Sequence, residues 1–352
     1  MSTEPSLLAP SPVTVRPYAA RDAARWDAYV LAHPDASFFH RAGWARVIAG
    51  AFGHRCHYLY AEAGGEIVGV LPLVEIKSLL FGHSLSSLAF CVSGGIVADH
   101  DAAFRALDAA AQALARELGV GALEYRNTRP VHPDWPAKDL YVTFRRAIDP
   151  EIEANMNAIP RKQRAMVRKG IKAGLAGEID ADTGRFFRAY SSSVHRLGTP
   201  VFPRKYFRLL KETFGADCEV LTIVQGDTLV ASVMSFYFRD EVLPYYGGGT
   251  AAARAVAGND FMYWDLMRRA CERGFKVFDF GRSKKGSGSY DFKKNWGFEP
   301  TPLFYEYLLV KDAAVPEVNP NNPKYRLFIQ AWKKLPLPLA NLIGPHLVKN
   351  LG

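Results

Sequence analysis

Two stretches of this chain concentrate positive charge with few acids beside it, and each has a spacing that suits an anion. The first, RKQRAMVRKGIK at 161–172, carries Arg161, Lys162, Arg164, Arg168, Lys169 and Lys172 and no acid at all. On a helix Arg161, Arg164, Arg168 and Lys172 fall three, four and four residues apart and share one face. Like charges stacked this way repel by roughly a few tenths of a kcal/mol per pair, so such a face suits an anionic neighbour. Arginine forks match phosphate oxygens. The plainer reading is a solvated basic face, or pairing with carboxylates elsewhere.

The second stretch is DFGRSKKGSGSYDFKKNWGFEP at 279–300. An apolar strand, VFDF, runs into a segment read as a loop, with Gly281, Gly286 and Gly288 among Arg282, Lys284, Lys285, Lys293 and Lys294. Ligands of α/β sheets bind beyond strand ends, where small residues allow a close approach and loop N–H groups cradle an oxyanion. A lysine held there neutralises charge that builds on a tetrahedral intermediate. The alternative is a glycine-rich surface loop made soluble by lysines.

Three tempting matches fail. Asp279-Phe280-Gly281 resembles a kinase tripeptide without that family's other motifs, and GRSKKGSG lacks the Lys-Ser/Thr ending of a phosphate loop. Arg116 to Gly121 fits the acetyl-CoA pattern R-x-x-G-x-G, but at a helix end that enters a strand, whereas a CoA loop leaves a strand and opens a helix. The segment with that polarity is LPYYGGGTAAARAVAGND at 243–260. There Gly247 and Gly248, with Gly249, are expected to admit a donor close to the backbone, and Tyr245 and Tyr246 to line its pocket. His40, His54, His57 and His195 stand alone and read as packed or surface residues.

These residues need elements to position them, and the chain supplies two similar sets. HYLYAEAGGEIVGVLPL (57–73) and EVLTIVQGDTLVASVMSF (219–236) each read as strand, two-residue turn and strand. Each is followed by a further strand, a helix and a strand. The first helix carries Phe104, Leu107, Ala111, Leu114 and Leu118 on one face and stops at Gly119. The second, with Asn259 or Asp260 as expected cap, carries Tyr263, Met267 and Ala270 and stops near Gly274. The spacing predicts a mixed α/β (α+β) chain of two tandem domains: 1–150, 151–314 bearing the proposed site, and a proline-broken tail, 315–352, packed on the second domain.

At 352 residues two domains are expected, and the formal charge of +9 favours phosphate- or carboxylate-bearing partners. Cys56, Cys91, Cys218 and Cys271 are scattered singly, which points to a reducing compartment and to no metal site. The opening MSTEPSLLAPSP does not read as a signal peptide, and no stretch has the roughly 18 apolar residues of a membrane span. The expected location is cytoplasmic, with peripheral membrane contact through Trp332, Lys333, Lys334 and the leucines after them as a lesser expectation.

HPDASFFHRAGW, EIVGVLPL, RKQRAMVRKG, LGTPVFP and, above all, GRSKKGSGSYDFKKNWGFEP resemble the FemAB-like proteins associated with PEP-CTERM/exosortase systems, over nearly the whole chain. The resemblance implies two GNAT-like domains, a setting of exopolysaccharide production, and kinship with peptidyltransferases that take amino acids from aminoacyl-tRNA. In those enzymes a Phe-Lys pair ahead of a glycine-containing aromatic segment supplies an important lysine. Phe292-Lys293 before Trp296-Gly297-Phe298 matches it, which implies Lys293, with Lys294 as rival. The heptad arm of tRNA-using members is absent from this sequence, so the donor is open between aminoacyl-tRNA, acyl-CoA and a nucleotide-linked group, with no cofactor held permanently.

The expected reaction is acyl transfer to an amine of a small-molecule or envelope-precursor acceptor. Lys293 and Arg282 would stabilise developing charge, Tyr290 would relay a proton, and Arg161, Arg164 and Arg168, with Lys284 and Lys294, would hold an anionic part of the substrates. Asp279 is the nearest approach to an acidic base and reads better as closing the strand. The competing reading is a non-catalytic protein that binds an anionic polysaccharide precursor or RNA.

Overall fold

The computed structural model describes residues 11–78, 82–315 and 323–350; the first ten residues, and with them most of the opening segment, lie outside it, as does the stretch 316–322. The second half folds around one large sheet. Its strands lie in the order Ala176–Asp180, Cys218–Gln225, Thr228–Phe238, Glu241–Gly249, Val277–Asp279, Tyr141–Ala147 and Ser283–Lys284, with Pro300–Pro302 also paired to Tyr141–Ala147. The predicted hairpin turns at Gly226, which adopts φ 54°. Helices Arg161–Lys172 and Gly258–Glu272 cover one face, and Gly184–Leu197 and Arg204–Phe214 the other. The basic helix has the bounds predicted for it. Its Val167 and Gly170 are buried, and a Cβ at Gly170 would lie 2.7 Å from that of Phe261, so glycine is what lets the two helices meet.

In the first half the strands divide between two sheets. Thr14–Pro17, Leu59–Ala63, Glu66–Leu71 and Val97–Ala98 form one, and Arg55–Cys56, Val74–Ser78, Gly82–Ser87 and Ala122–Asn127 belong to the other. The break falls at Pro72, which has no N–H to continue a ladder. Helix Asp101–Leu118 ends on Gly119 in the left-handed region, as its pattern predicted. It packs the predicted Leu107 and Ala111 inward together with Ala103 and Ala115, while Leu114 and Leu118 are partly buried and Phe104 lies outside that cluster.

The expected division at residue 150 does not follow the sheets. Tyr141–Ala147 pairs with Val277–Asp279 inside the second sheet, while Phe304–Leu309 returns to lie along Ala122–Asn127 in the first. Register with a distant strand cannot be read from local pattern, so this exchange was invisible in the sequence. Helix Gly43–Phe52 packs on Arg204–Phe214 across the same boundary. Gly43 makes that approach feasible, since a Cβ there would lie 2.8 Å from Phe214 Cε1 and Thr213 Cγ2.

The tail forms helices Pro323–Lys334 and Leu337–Val348, both against Gly184–Leu197. His195 Nε2 meets the Trp332 carbonyl at 3.2 Å and His54 Nε2 the Lys349 carbonyl at 2.6 Å, so two of the lone histidines tie the tail down. Among the described residues no helix is long and apolar enough to cross a membrane, and no cluster of His, Cys, Asp and Glu has the makings of a metal site.

The returning strand is held by Glu306, 2% exposed, whose carboxylate accepts from Asn127 Nδ2 at 2.5 Å, Val131 N at 2.9 Å and His132 N at 3.0 Å. Glu306→Ala strands these donors in the first domain and is expected to destabilise the protein by about 3 kcal/mol or more. Urea denaturation reads the loss, and a change within about 0.5 kcal/mol would contradict this account.

Candidate active site

Strands Glu241–Gly249 and Val277–Asp279 run parallel but pair only at Glu241↔Val277 and Val242↔Phe278. Two features drive them apart. Pro244 cannot donate to a ladder, and on the opposite edge the register with Thr228–Phe238 slips, so that Met234 faces Tyr246, Ser235 faces Pro244, and Tyr245 is the extra residue of a bulge. The bulge also turns consecutive side chains to one side: Tyr245 and Tyr246 line the same cavity, their rings 4.7 Å apart.

That cavity, about 370 Å³, opens at the divergence. Its walls are aromatic: Tyr190, Phe202, Tyr245, Tyr246, Tyr263 and Phe280 from the second half and Phe90 from the first. Val92 and the tail's Val348 add to them. Two cations, Arg282 and Lys293, lie in the lining, and among the described residues no carboxylate does.

Lys293 reaches it from a helix the sequence concealed. Gly288–Asn295, read as loop, is helical, and Ser287 caps it by accepting from Tyr290 N at 3.3 Å. On a helix Ser289 and Lys293 share a face, and that face borders the cavity. Lys293 is buried and its Nζ donates to the carbonyls of Gly281 at 2.9 Å and Arg282 at 3.0 Å. Burial, opposed by the Asp279 carboxylate and aided by the Arg282 guanidinium, lowers its pKa to about 7.

Arg282 is half-buried, stacked 4.5 Å from the Tyr141 ring centre, and donates from Nη1 to Tyr305 Oη at 2.9 Å. Burial works against its charge, but the phenol oxygens of Tyr305, Tyr141 and Tyr245 outweigh that and hold it firmly protonated. Of a guanidinium's five N–H groups, only this one has a protein acceptor among the described residues. Tyr305 in turn donates to the Val92 carbonyl at 2.6 Å, and Tyr245 donates to that of Phe90 at 3.1 Å. Those two hydroxyls pin the first domain's segment as a wall of the second domain's cavity.

Several expected site residues lie elsewhere. Tyr290 turns away from the cavity, its ring 5.4 Å from that of Phe144, and Lys294, one position beyond Lys293, is exposed. Lys284 is half-buried outside the lining; burial, with Arg282 and Lys138 nearby, lowers its pKa to about 8. Gly247 borders the cavity as expected, but Gly248 does not: a Cβ there would lie 2.6 Å from Ser193 Cβ, so it is helix packing that requires glycine. Arg161, Arg164 and Arg168 lie outside the lining, and Arg161 and Arg168 are exposed. Arg164 instead donates to Asn157 Oδ1 at 2.7 Å. Pro160, which precedes the basic helix, would have its Cδ 3.1 Å from a Cβ at Gly297, just past the lysine helix. The cap of helix Gly258–Glu272 is Ala257, not Asn259 or Asp260, and Asp260 Oδ1 accepts from Trp296 Nε1 at 3.0 Å. Asp279 accepts from Gly281 N at 2.7 Å and closes the strand, outside the lining.

The sequence reading missed Phe90, Val92, Tyr305 and a second cationic pair. Arg196 donates to the Gly249 carbonyl; burial lowers its pKa, and the nearby Arg254 adds to that lowering. Arg254 stands inside the glycine segment already singled out, so its charge was available as a signal there.

A parallel strand pair joined by a helix crossover and preceded by an antiparallel hairpin occurs twice along the chain. In the first copy Gly82–Ser87 stays paired with Ala122–Asn127 from Ser84↔Ala122 to Ser87↔Tyr125. Its opening is filled by Leu88, Ala89 and Cys91, with Arg126 donating to the Leu88 and Cys91 carbonyls. Residues 161–294 match the acetyltransferase (GNAT) domain family. This is a tandem GNAT fold. The tandem GNAT chain is similar to FemX (17% identity, TM-score 0.64, covering 90% of this chain and all of that one, 100%). It is also similar to the C-terminal domain of a putative lysylphosphatidylglycerol synthetase from Agrobacterium fabrum (13%, 0.56, 82% and 92%). A tandem GNAT protein from the clavulanic acid biosynthesis pathway is a third match (14%, 0.53, 86% and 100%). No curated protein matches the chain significantly.

Tyr305→Phe removes both the acceptor for Arg282 and the donor to Val92. The stranded carbonyl is expected to cost about 1–3 kcal/mol, read as a fall in Tm, and Arg282 loses its anchor. An unchanged Tm would show that water takes over both bonds.

Proposed function

We propose that the chain transfers an activated acyl group to an amine, with the reacting carbonyl at the strand divergence beside Arg282 and Lys293. The observation that carries this reading is the pairing in one aromatic cavity of a fixed cation with open N–H groups and a lysine that can be neutral near pH 7. The neutral amine attacks the carbonyl carbon, and the oxygen that becomes negative is held by Arg282. A neutral Lys293 has two N–H groups, both already given to carbonyls, so its lone pair is left to take the proton from the attacking nitrogen. The resulting ammonium returns that proton to the leaving oxygen or sulfur. The lysine is thus assigned as base, where the sequence suggested charge stabilisation, and that second task falls to Arg282.

The donor is an acyl ester or thioester attached to phosphate, such as acyl-CoA or aminoacyl-tRNA. Arg196 and Arg254, at the end of the strand beyond the cavity-lining Gly247, support a phosphate there. The aminoacyl subtype, and an envelope or exopolysaccharide precursor as acceptor in the PEP-CTERM setting, belong to this proposal through the family resemblance.

Lys293→Met is expected to lower kcat/KM for transfer from acyl-CoA or aminoacyl-tRNA by about 10²–10⁴ while the fold is kept. Wild-type activity should rise with pH and level off above about 7, where Lys293 is neutral. Lys293→Arg, charged throughout, should be inactive across that range. Full activity of both variants would remove Lys293 from the mechanism.

The same residue sets a stability slope. Its folded pKa, about 7, lies below the unfolded value of about 10.4, so the unfolded chain binds the extra proton between these limits. Wild-type stability therefore falls as pH drops from about 10 toward 7. Relative to wild type, Lys293→Met should gain stability over that window, with no further gain below it. Parallel stability curves for the two proteins would contradict this burial cost.

A further inference from the structure

The tail helix Leu337–Val348, LPLANLIGPHLV, has no charged residue, although one side of it faces water. Ala340, Gly344 and Val348 point inward; Leu339, Leu342 and Ile343, spaced three and one apart, are exposed, Leu342 by 68%. A surface helix of a soluble domain ordinarily turns charge outward. Leu197, also 68% exposed, continues the patch: it ends the helix on which the tail packs, and a Cβ at the next residue, Gly198, would lie 3.1 Å from Lys333 Cε. Phe328 is exposed on the preceding tail helix. Residues 323–350 contain Lys324, Arg326, Lys333, Lys334 and Lys349 and no acid. Apolar side chains outward with the exposed Lys333 and Lys334 on the same tail, on a helix too short to span, are what an anionic bilayer surface takes up. Val348 at the end of this helix is also a wall of the cavity.

We infer that this apolar tail face docks on an anionic lipid surface, which, on the transferase reading above, sets the cavity beside a bilayer. Leu339, Leu342 and Ile343 enter the headgroup boundary while Lys333 and Lys334 meet lipid phosphates.

Co-sedimentation of the full chain tests this, with vesicles of phosphatidylglycerol mixed into phosphatidylcholine against phosphatidylcholine alone. Binding is expected to the mixed vesicles, weakening as salt rises. Leu342→Asn with Ile343→Asn should cut it by about tenfold or more, and Lys333→Gln with Lys334→Gln by roughly tenfold, on mixed vesicles only. All four positions are exposed, and circular dichroism confirms that these variants fold. Lys293→Met should bind vesicles like wild type, so failure of the transferase reading leaves this result untouched. No binding to the mixed vesicles, or equal binding by the double variants, overturns the inference. So does concentration-dependent self-association that Leu342→Asn with Ile343→Asn abolishes, which would give the face to a second copy of the chain.

Discussion

The site depends on how early one pair of parallel strands stops pairing. Glu241–Gly249 and Val277–Asp279 share two residue pairs before Pro244 and the bulge at Tyr245 send them apart. A sheet interrupted in its interior exposes backbone edges that something must cover or bind. Here the opening is covered from three directions: aromatic rings of the second domain, the Phe90–Val92 segment of the first, and the end of the tail. The bulge is therefore both the cause of the cavity and the device that aims two successive tyrosines into it.

The two halves solve the same geometric problem in opposite ways. In the first, the chain after Gly82–Ser87 folds back into its own opening, and the buried Arg126 ties that plug together with bonds to two carbonyls and to Glu124. Having filled its own site, the segment presents its far side to the second. The exchanged strand makes this permanent, because Tyr305, which holds Val92 and Arg282, lies on the strand that completes the first sheet. One residue thus belongs to one domain's sheet and to the other domain's site. Relative motion of the two halves would break it from one or the other.

What was legible in the sequence was local. The duplicated hairpins, the helix ending at Gly119 and the bounds of the basic helix follow from turn chemistry and period, and the chain has them. The lysine segment was recognised but read as a loop because of its glycines, although Ser287 is a good cap. Without a helix, spacing alone did not separate Ser289 and Lys293, on the cavity face, from Tyr290 and Lys294, which share the other, and only the family resemblance favoured Lys293. The repelling arginines Arg161, Arg164 and Arg168 lie outside the cavity lining, and the like-charge cost of their spacing is small on a face that water reaches. Phe90, Val92 and Tyr305 could not have been found, since only long-range register brings them in.

The two cations of the cavity depend on one another. Had Arg282 been paired with a carboxylate, its field would be spent within the protein and Lys293 would keep more of its proton. Instead its charge rests on the faces and hydroxyls of tyrosines, which stabilise a cation without cancelling it. The uncompensated guanidinium leaves N–H groups for an incoming oxyanion and, by the same field, helps hold Lys293 down toward neutrality. Asp279 lies close enough to favour the charged lysine, but its oxygen accepts from Gly281 N and it stays out of the cavity lining. Aromatic walls in place of acidic ones are thus what let a single arginine prepare both the acceptor of charge and the acceptor of the proton.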